Sequence, residues 1–141
     1  FKKQKESGVL TITDERMTRF WLTLEQGVEF VIKCIEDMQG GEVFVPKIPS
    51  MKITELAKAI APECKIKYTG IRPGEKIHEC LLTEDEARHS LEYDKYYLIL
   101  PEGPKWNFKL PKGGKKLPFG FRYESGNNTW WLTKEEILKM I

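Results

Sequence analysis

Leu24, Val28, Val31, Ile35 and Met38 recur at 4-3-4-3 spacing, and this run constrains the fold more than any other feature of the chain. Such spacing puts all five side chains on one face of a helix. Thr23 and Gln26 stand where a capping box starts that helix, and Gly40-Gly41 stand where it ends. Glu42-Val43-Phe44-Val45-Pro46 follows at once. It is short, apolar and rich in β-branched residues, which predicts a strand.

The same alternation of periods continues along the chain. Phe1 to Ser7 reads as a short amphipathic remnant closed by Gly8, and Val9 to Thr13 as a strand. Ile53, Leu56, Ala57 and Ile60 form the inner face of a helix over 53–61 that Pro62 stops. Lys65 to Thr69 alternates like a half-buried strand, and Tyr96 to Leu100 is another strand closed by Pro101. Thr83 with Glu86, and Thr133 with Glu136, are two further capping boxes; Leu132 and Ile137 can form a hydrophobic staple at the last helix. Residues 102–128, rich in Gly, Pro and Lys, are expected to form a long, partly irregular arm. Strands and helices mixed in this order predict an α/β or α+β fold. The expected division is 1–101 and 102–141.

With 40% hydrophobic and 11% aromatic residues in 141, the chain can bury a core and is not a disordered tail. No apolar run is long enough to span a bilayer, so no membrane association is expected. The sequence starts at Phe1 with no apolar leader, and it is expected to be an excerpt of a longer polypeptide. A net charge of +2, from 23 basic and 21 acidic residues, gives no case for nucleic acid. The acids between Glu75 and Asp94, and the five lysines from Lys105 to Lys116, read as solvated stretches. Cys34, Cys64 and Cys80 are odd in number and widely spaced, with only His78 and His89 as histidines. That disfavours disulfides and metal, and free thiols fit a reducing cytoplasm.

The chain has no G-x-G-x-x-G, no G-x-x-x-x-G-K-[ST], no G-x-S-x-G and no Tyr-x-x-x-Lys. No catalytic, cofactor-binding or metal residue is therefore assigned. The best positive signal is Gly70-Ile71-Arg72-Pro73-Gly74-Glu75-Lys76-Ile77-His78-Glu79. Pro73-Gly74 suits the centre of a type II turn with Arg72 and Glu75 at its two ends. Arg72 offers a planar fork suited to a diphosphate, and Glu75 can accept from sugar hydroxyls. A surface turn with a local ion pair is the competing reading. Arg19, in Arg16-Met17-Thr18-Arg19-Phe20-Trp21, could add a second cation near a phosphate; otherwise it stacks on Phe20 or Trp21 and pairs with Glu25. His78 and His89 read as solvated ahead of acid–base groups, Cys80 as core ahead of a nucleophile, and Trp130-Trp131 as packing residues ahead of a ligand-stacking pair.

Three segments resemble one family when taken in order: Arg16 to Trp21, Gly40 to Ile53, and Gly70 to Glu79. Asn127-Asn128-Thr129-Trp130-Trp131-Leu132-Thr133 adds to them. They look like the C-terminal half of the inverting UDP-N-acetylglucosamine 4,6-dehydratases. These belong to the polysaccharide-biosynthesis branch of the extended short-chain dehydrogenases. The resemblance implies an α/β substrate-binding portion, including an edge strand and helices of a Rossmann-type sheet. Glu42 to Pro46 would be that strand, with its partners in the N-terminal Rossmann half. NADP and the catalytic residues would belong to that half. The implied substrate is UDP-N-acetylglucosamine, with Arg72 at the diphosphate, Glu75 near the uridine ribose and Arg19 lining the cleft. The implied reaction is redox-neutral: hydride leaves C4 of the sugar, water is lost across C5 and C6, hydride returns to C6, and C5 inverts. The resemblance further implies a homo-oligomer in pseudaminic acid synthesis. Two rival readings remain: another UDP-sugar 4,6-dehydratase or 4-epimerase, and a non-catalytic assembly module that uses the lysine-rich arm.

Overall fold

The computed structural model describes residues 1–102 and 109–141. Lys105, the first lysine of the expected arm, lies outside the described residues. The strands are β1 (Val9–Ile12), β2 (Thr18–Phe20), β3 (Val43–Pro46), β4 (Ser50–Lys52), β5 (Lys65–Tyr68), β6 (Cys80–Leu82), β7 (Ser90–Glu92), β8 (Tyr96–Ile99), β9 (Lys115–Lys116) and β10 (Tyr123–Glu124). The helices are α1 (Leu24–Asp37), α2 (Ile53–Ile60), α3 (Glu84–Ala87) and α4 (Lys134–Met140). A short 3-10 turn, Gln4–Ser7, ends at Gly8 in the left-handed region, as the closing glycine suggests. The Thr23/Gln26, Thr83/Glu86 and Thr133/Glu136 capping boxes are all formed. None of the helices among the described residues is long and apolar enough to cross a membrane.

The chain forms two compact units, each assembled from separate stretches of sequence. One comprises 1–21, 48–79 and 124–141; the other comprises 22–47 and 80–123. Position 101/102 is thus not a unit boundary: the second unit runs through it, and the last helix belongs to the first.

In the first unit, β1 and β5 pair in parallel, Leu10 opposite Ile66 and Ile12 opposite Tyr68. The crossover between them carries α2, the arrangement parallel strands require. Leu10, Ile12, Ala57 and Ala61 are buried together there. On the other face of α2, Leu56 and Ala59 pack with Met51 and with Ile137 of α4, and Leu132 closes that cluster as the expected staple. β2 and β4 form an antiparallel pair, with Arg19 opposite Met51.

In the second unit the sheet order is β3-β8-β7-β9, antiparallel throughout. This corrects one expectation. β3, the strand over Glu42 to Pro46, pairs within this chain, Phe44 opposite Leu98 and Val45 opposite Tyr97. The parallel pairing expected of a Rossmann-type sheet occurs between β1 and β5 instead. Tyr97 and Leu98 are buried, and the Tyr123 ring lies 5.0 Å from that of Tyr97. The end of the supposed arm therefore contributes core. The apolar face of α1 is exposed: Leu24, Val28, Val31, Ile32, Ile35 and Met38 are each at least half accessible, and α1 has no buried residue.

Candidate functional site

The Gly70–Glu79 segment belongs to the first unit and begins with the expected turn. Gly74 has φ +83°, which a type II turn requires at its third position. The Glu75 N–H donates to the Arg72 carbonyl at 3.1 Å, which closes the turn. Glu75 Oε2 also accepts the Arg72 backbone N–H at 2.9 Å. Arg72 is exposed, and no carboxylate lies within 4.0 Å of its guanidinium among the described residues. The local Arg72–Glu75 ion pair of the competing reading is absent: Glu75 binds the Arg72 main chain and leaves the fork of donors to solvent. A guanidinium presented this way suits a bidentate anion such as a phosphate.

Arg19 sits differently. It projects from β2 with its side chain 27% exposed. Nη1 donates to the carbonyls of Thr18 at 2.7 Å and Ile77 at 3.1 Å, and Nη2 to the carbonyl of Lys76 at 3.0 Å. Its carboxylate partner is Glu79, Nε to Oε1 3.5 Å, and not Glu25. Arg19 therefore ties β2 to the end of the same segment that begins with the Arg72 turn.

His78, expected to be solvated, is partly buried. Its Nδ1 lies 2.8 Å from Thr18 Oγ1, and Thr18 Oγ1 lies 2.7 Å from Ser125 Oγ. Gly126 backs the ring so closely that a Cβ there would stand 2.6 Å from Nδ1. His89 is half exposed, as expected, with Glu102 at 3.8 Å. Cys80 is partly buried and donates to the Leu82 carbonyl at 3.3 Å.

His78, Thr18 and Gly126 line one wall of a cavity of about 740 Å³, which Arg16, Lys52, Glu55, Trp131 and Leu132 complete. Arg16 enters already paired: Nε and Nη2 grip Asp14 at 2.9 and 2.8 Å. Those bonds hold the Asp14 carboxyl down at about 2. Trp131 also lines the cavity. It is 36% exposed, and its indole donates to the Asn128 carbonyl at 2.6 Å. Sequence reasoning missed Ser125 and Gly126, and gave Lys52, inside the Gly40 to Ile53 segment, no role of its own. Only the nearby Asn127–Thr133 run drew attention to that part of the chain.

The turn after β1 runs Thr13-Asp14-Glu15-Arg16 with no glycine, and Asp14 Oδ1 takes the Arg16 backbone N–H at 2.8 Å. Among the described residues, no three His, Cys, Asp or Glu side chains cluster as metal ligands.

Known proteins resemble the chain along its whole length. The inverting UDP-N-acetylglucosamine 4,6-dehydratase of Campylobacter jejuni is 46% identical over 150 aligned positions, covering all of this chain and 45% of that protein. The UDP-glucose 4-epimerase of Rickettsia akari is 34% identical, over 97% of this chain and 42% of its own length. The solved structure of Pen from Bacillus thuringiensis superposes with a TM-score of 0.77 at 29% identity, over 98% of this chain and 42% of that one. The chain thus spans less than half the length of these relatives. Its mixed α/β fold matches part of an extended short-chain dehydrogenase. The sequence profile of the polysaccharide biosynthesis proteins covers residues 1–101, more than two thirds of the chain, and the chain belongs to that family.

Proposed function

We propose that this chain is the UDP-sugar-binding portion of an inverting UDP-N-acetylglucosamine 4,6-dehydratase. The observation that carries the reading is 46% identity across the whole chain to an enzyme of that name. The Arg72 turn supports it, because its guanidinium is unpaired among the described residues and its backbone is fixed. In this reading Arg72 takes the diphosphate and Glu75, through the carboxylate oxygen not held by the turn, a ribose hydroxyl. Arg19 joins them by bonding the segment that carries both. Anchoring UDP orients the sugar, and this binding energy is used to place the reacting carbons.

NADP, which supplies reversible hydride transfer in such enzymes, belongs in this reading to the N-terminal Rossmann half of the parent protein, a cytoplasmic homo-oligomer. The product is a UDP-4-keto-6-deoxy-N-acetylhexosamine for glycan synthesis, as in the pseudaminic acid route. The test is to supply the parent protein, N-terminal half and NADP included, with UDP-N-acetylglucosamine and read the product by NMR, with this chain alone expected to form none. A 4-keto-6-deoxy sugar with C5 inverted is expected. The similarity to UDP-glucose 4-epimerases supports one alternative, which a C4 epimer with the C6 hydroxyl retained would establish instead.

A further inference from the structure

The proton order of one buried hydroxyl chain follows from its surroundings. Ser125 is fully buried. Its Oγ accepts the backbone N–H of Glu79 at 2.9 Å. Its own proton then has one acceptor among the described residues, Thr18 Oγ1 at 2.7 Å. A buried hydroxyl proton without an acceptor is costly, so Ser125 donates to Thr18. Thr18 is 3% exposed. Having accepted from Ser125, it turns its own proton to His78 Nδ1 at 2.8 Å. Nδ1 is thereby an acceptor, and the neutral ring carries its proton on Nε2.

The chain of bonds starts at Glu79 and ends at His78, so it closes on a single segment. The neighbouring bonds hold the same stretch. Ile77 O accepts from the Thr18 N–H at 3.0 Å, and Glu79 O from the Ser125 N–H at 2.8 Å. Arg19 takes the carbonyls of Lys76 and Ile77 and pairs with the Glu79 carboxylate. Every residue from Lys76 to Glu79 is bonded to Thr18, Arg19 or Ser125. Glu75 is the next residue back.

We propose that Thr18, Arg19 and Ser125 are positioning residues that clamp residues 76–79, holding the Arg72–Glu75 turn in its binding geometry and fixing His78 as the Nε2–H tautomer in the cavity wall. The clamp's bearing on ligand rests on the UDP-sugar reading above; the tautomer does not. Polar residues far apart in sequence meet here around one loop, and none of them is satisfied by local structure alone. That is the pattern expected of a second layer behind a binding turn.

The test uses the protein with T18V, T18S, S125A and R19K, each checked for folding by circular dichroism. Long-range proton–nitrogen NMR near neutral pH reads the His78 tautomer. The wild type and T18S are expected to show Nε2–H. T18V, which keeps the shape and loses the hydroxyl, is expected to let the Nδ1–H form appear. An Nδ1–H ring in the wild type, or a T18V spectrum unchanged from it, overturns the relay. Calorimetric titration with UDP reads the clamp. T18V, S125A and R19K are expected to weaken UDP binding about tenfold, with T18S within about twofold of wild type. R19K keeps the charge and loses the fork, so unchanged affinity in folded R19K overturns the clamp even where T18V does not fold. A wild type that binds no UDP removes the UDP-sugar reading and the clamp with it, and leaves the tautomer result to stand or fall separately.

Discussion

Glu75 closes the turn that presents Arg72. Its Oε2 accepts the Arg72 backbone N–H at 2.9 Å, and its own N–H donates to the Arg72 carbonyl at 3.1 Å. The carboxylate and the guanidinium are thereby held on one rigid four-residue unit without neutralising each other. A charged ligand meets an arginine whose main chain is already ordered, so less entropy is lost on binding.

Arg72→Ala is expected to weaken UDP binding by about 1.5–3 kcal/mol, the scale of a hydrogen bond to a charged group. Its melting temperature should barely move, because the side chain is exposed and makes no ion pair among the described residues. Titration calorimetry paired with a thermal melt separates the two. Loss of stability without loss of affinity would make Arg72 structural.

Gly74→Ala tests the turn itself. Nothing lies within 4 Å of a Cβ built there, so the cost comes only from φ +83°. About 1–2 kcal/mol of destabilisation is expected for a non-glycine residue in that region. Denaturant unfolding measures it, and a neutral change would mean the turn relaxes freely.

Gly126→Ala brings a Cβ to within 2.6–2.8 Å of three His78 ring atoms. Overpacking of this kind costs on the order of 1–3 kcal/mol. His78→Ala removes the ring that is struck. The double variant should therefore be more stable than the sum of the two single losses predicts. A double-mutant cycle by chemical denaturation reads the coupling, and additivity would show that the ring moves aside at no cost.

What was legible in the sequence was local. The three capping boxes, the closing Gly8 and the Pro73-Gly74 turn each depend on residues three or four apart, and all formed as read. β2 and β4 were not legible. Each has three residues, and each is a strand only because the other lies opposite, Thr18 to Lys52 and Phe20 to Ser50. Ser125 was hidden for the same reason. It lies in a Gly- and Lys-rich stretch, and only partners at Thr18, 107 positions away, and at Glu79 make it a core residue. The α1 periodicity marks a helix face, yet periodicity says nothing about whether another surface covers that face.

α1 and α4 should consequently respond in opposite ways to polar or truncating changes. Ile35 is 63% exposed, whereas Ile137 is 1% exposed among Met51, Leu56 and Ala59. Ile35→Glu is expected to change stability by less than about 0.5 kcal/mol. Ile137→Ala should cost about 2–5 kcal/mol through lost burial and a residual cavity. Denaturation of both variants checks this. A large loss from Ile35→Glu would mean that the α1 face is covered in solution.

Tyr97 is expected to contribute to the alkaline sensitivity of the second unit. Burial pushes its phenol up to about 12 from an ordinary 10, with the Glu92 carboxylate adding to the shift. The folded state thus keeps the proton where the unfolded chain has lost it. Below pH 10 both states are protonated, and this contribution to stability is fully present. Between 10 and about 12 the unfolded chain binds fewer protons, so stability falls as pH rises. Tyr97→Phe keeps the ring packed against Phe121 and Tyr123 and removes the titrating group. Urea unfolding at pH 8 and at pH 11 should show a clear loss for the wild type and a smaller one for Tyr97→Phe. Equal losses would place the alkaline sensitivity on other groups, such as Tyr93 and Tyr96, whose phenols burial also raises.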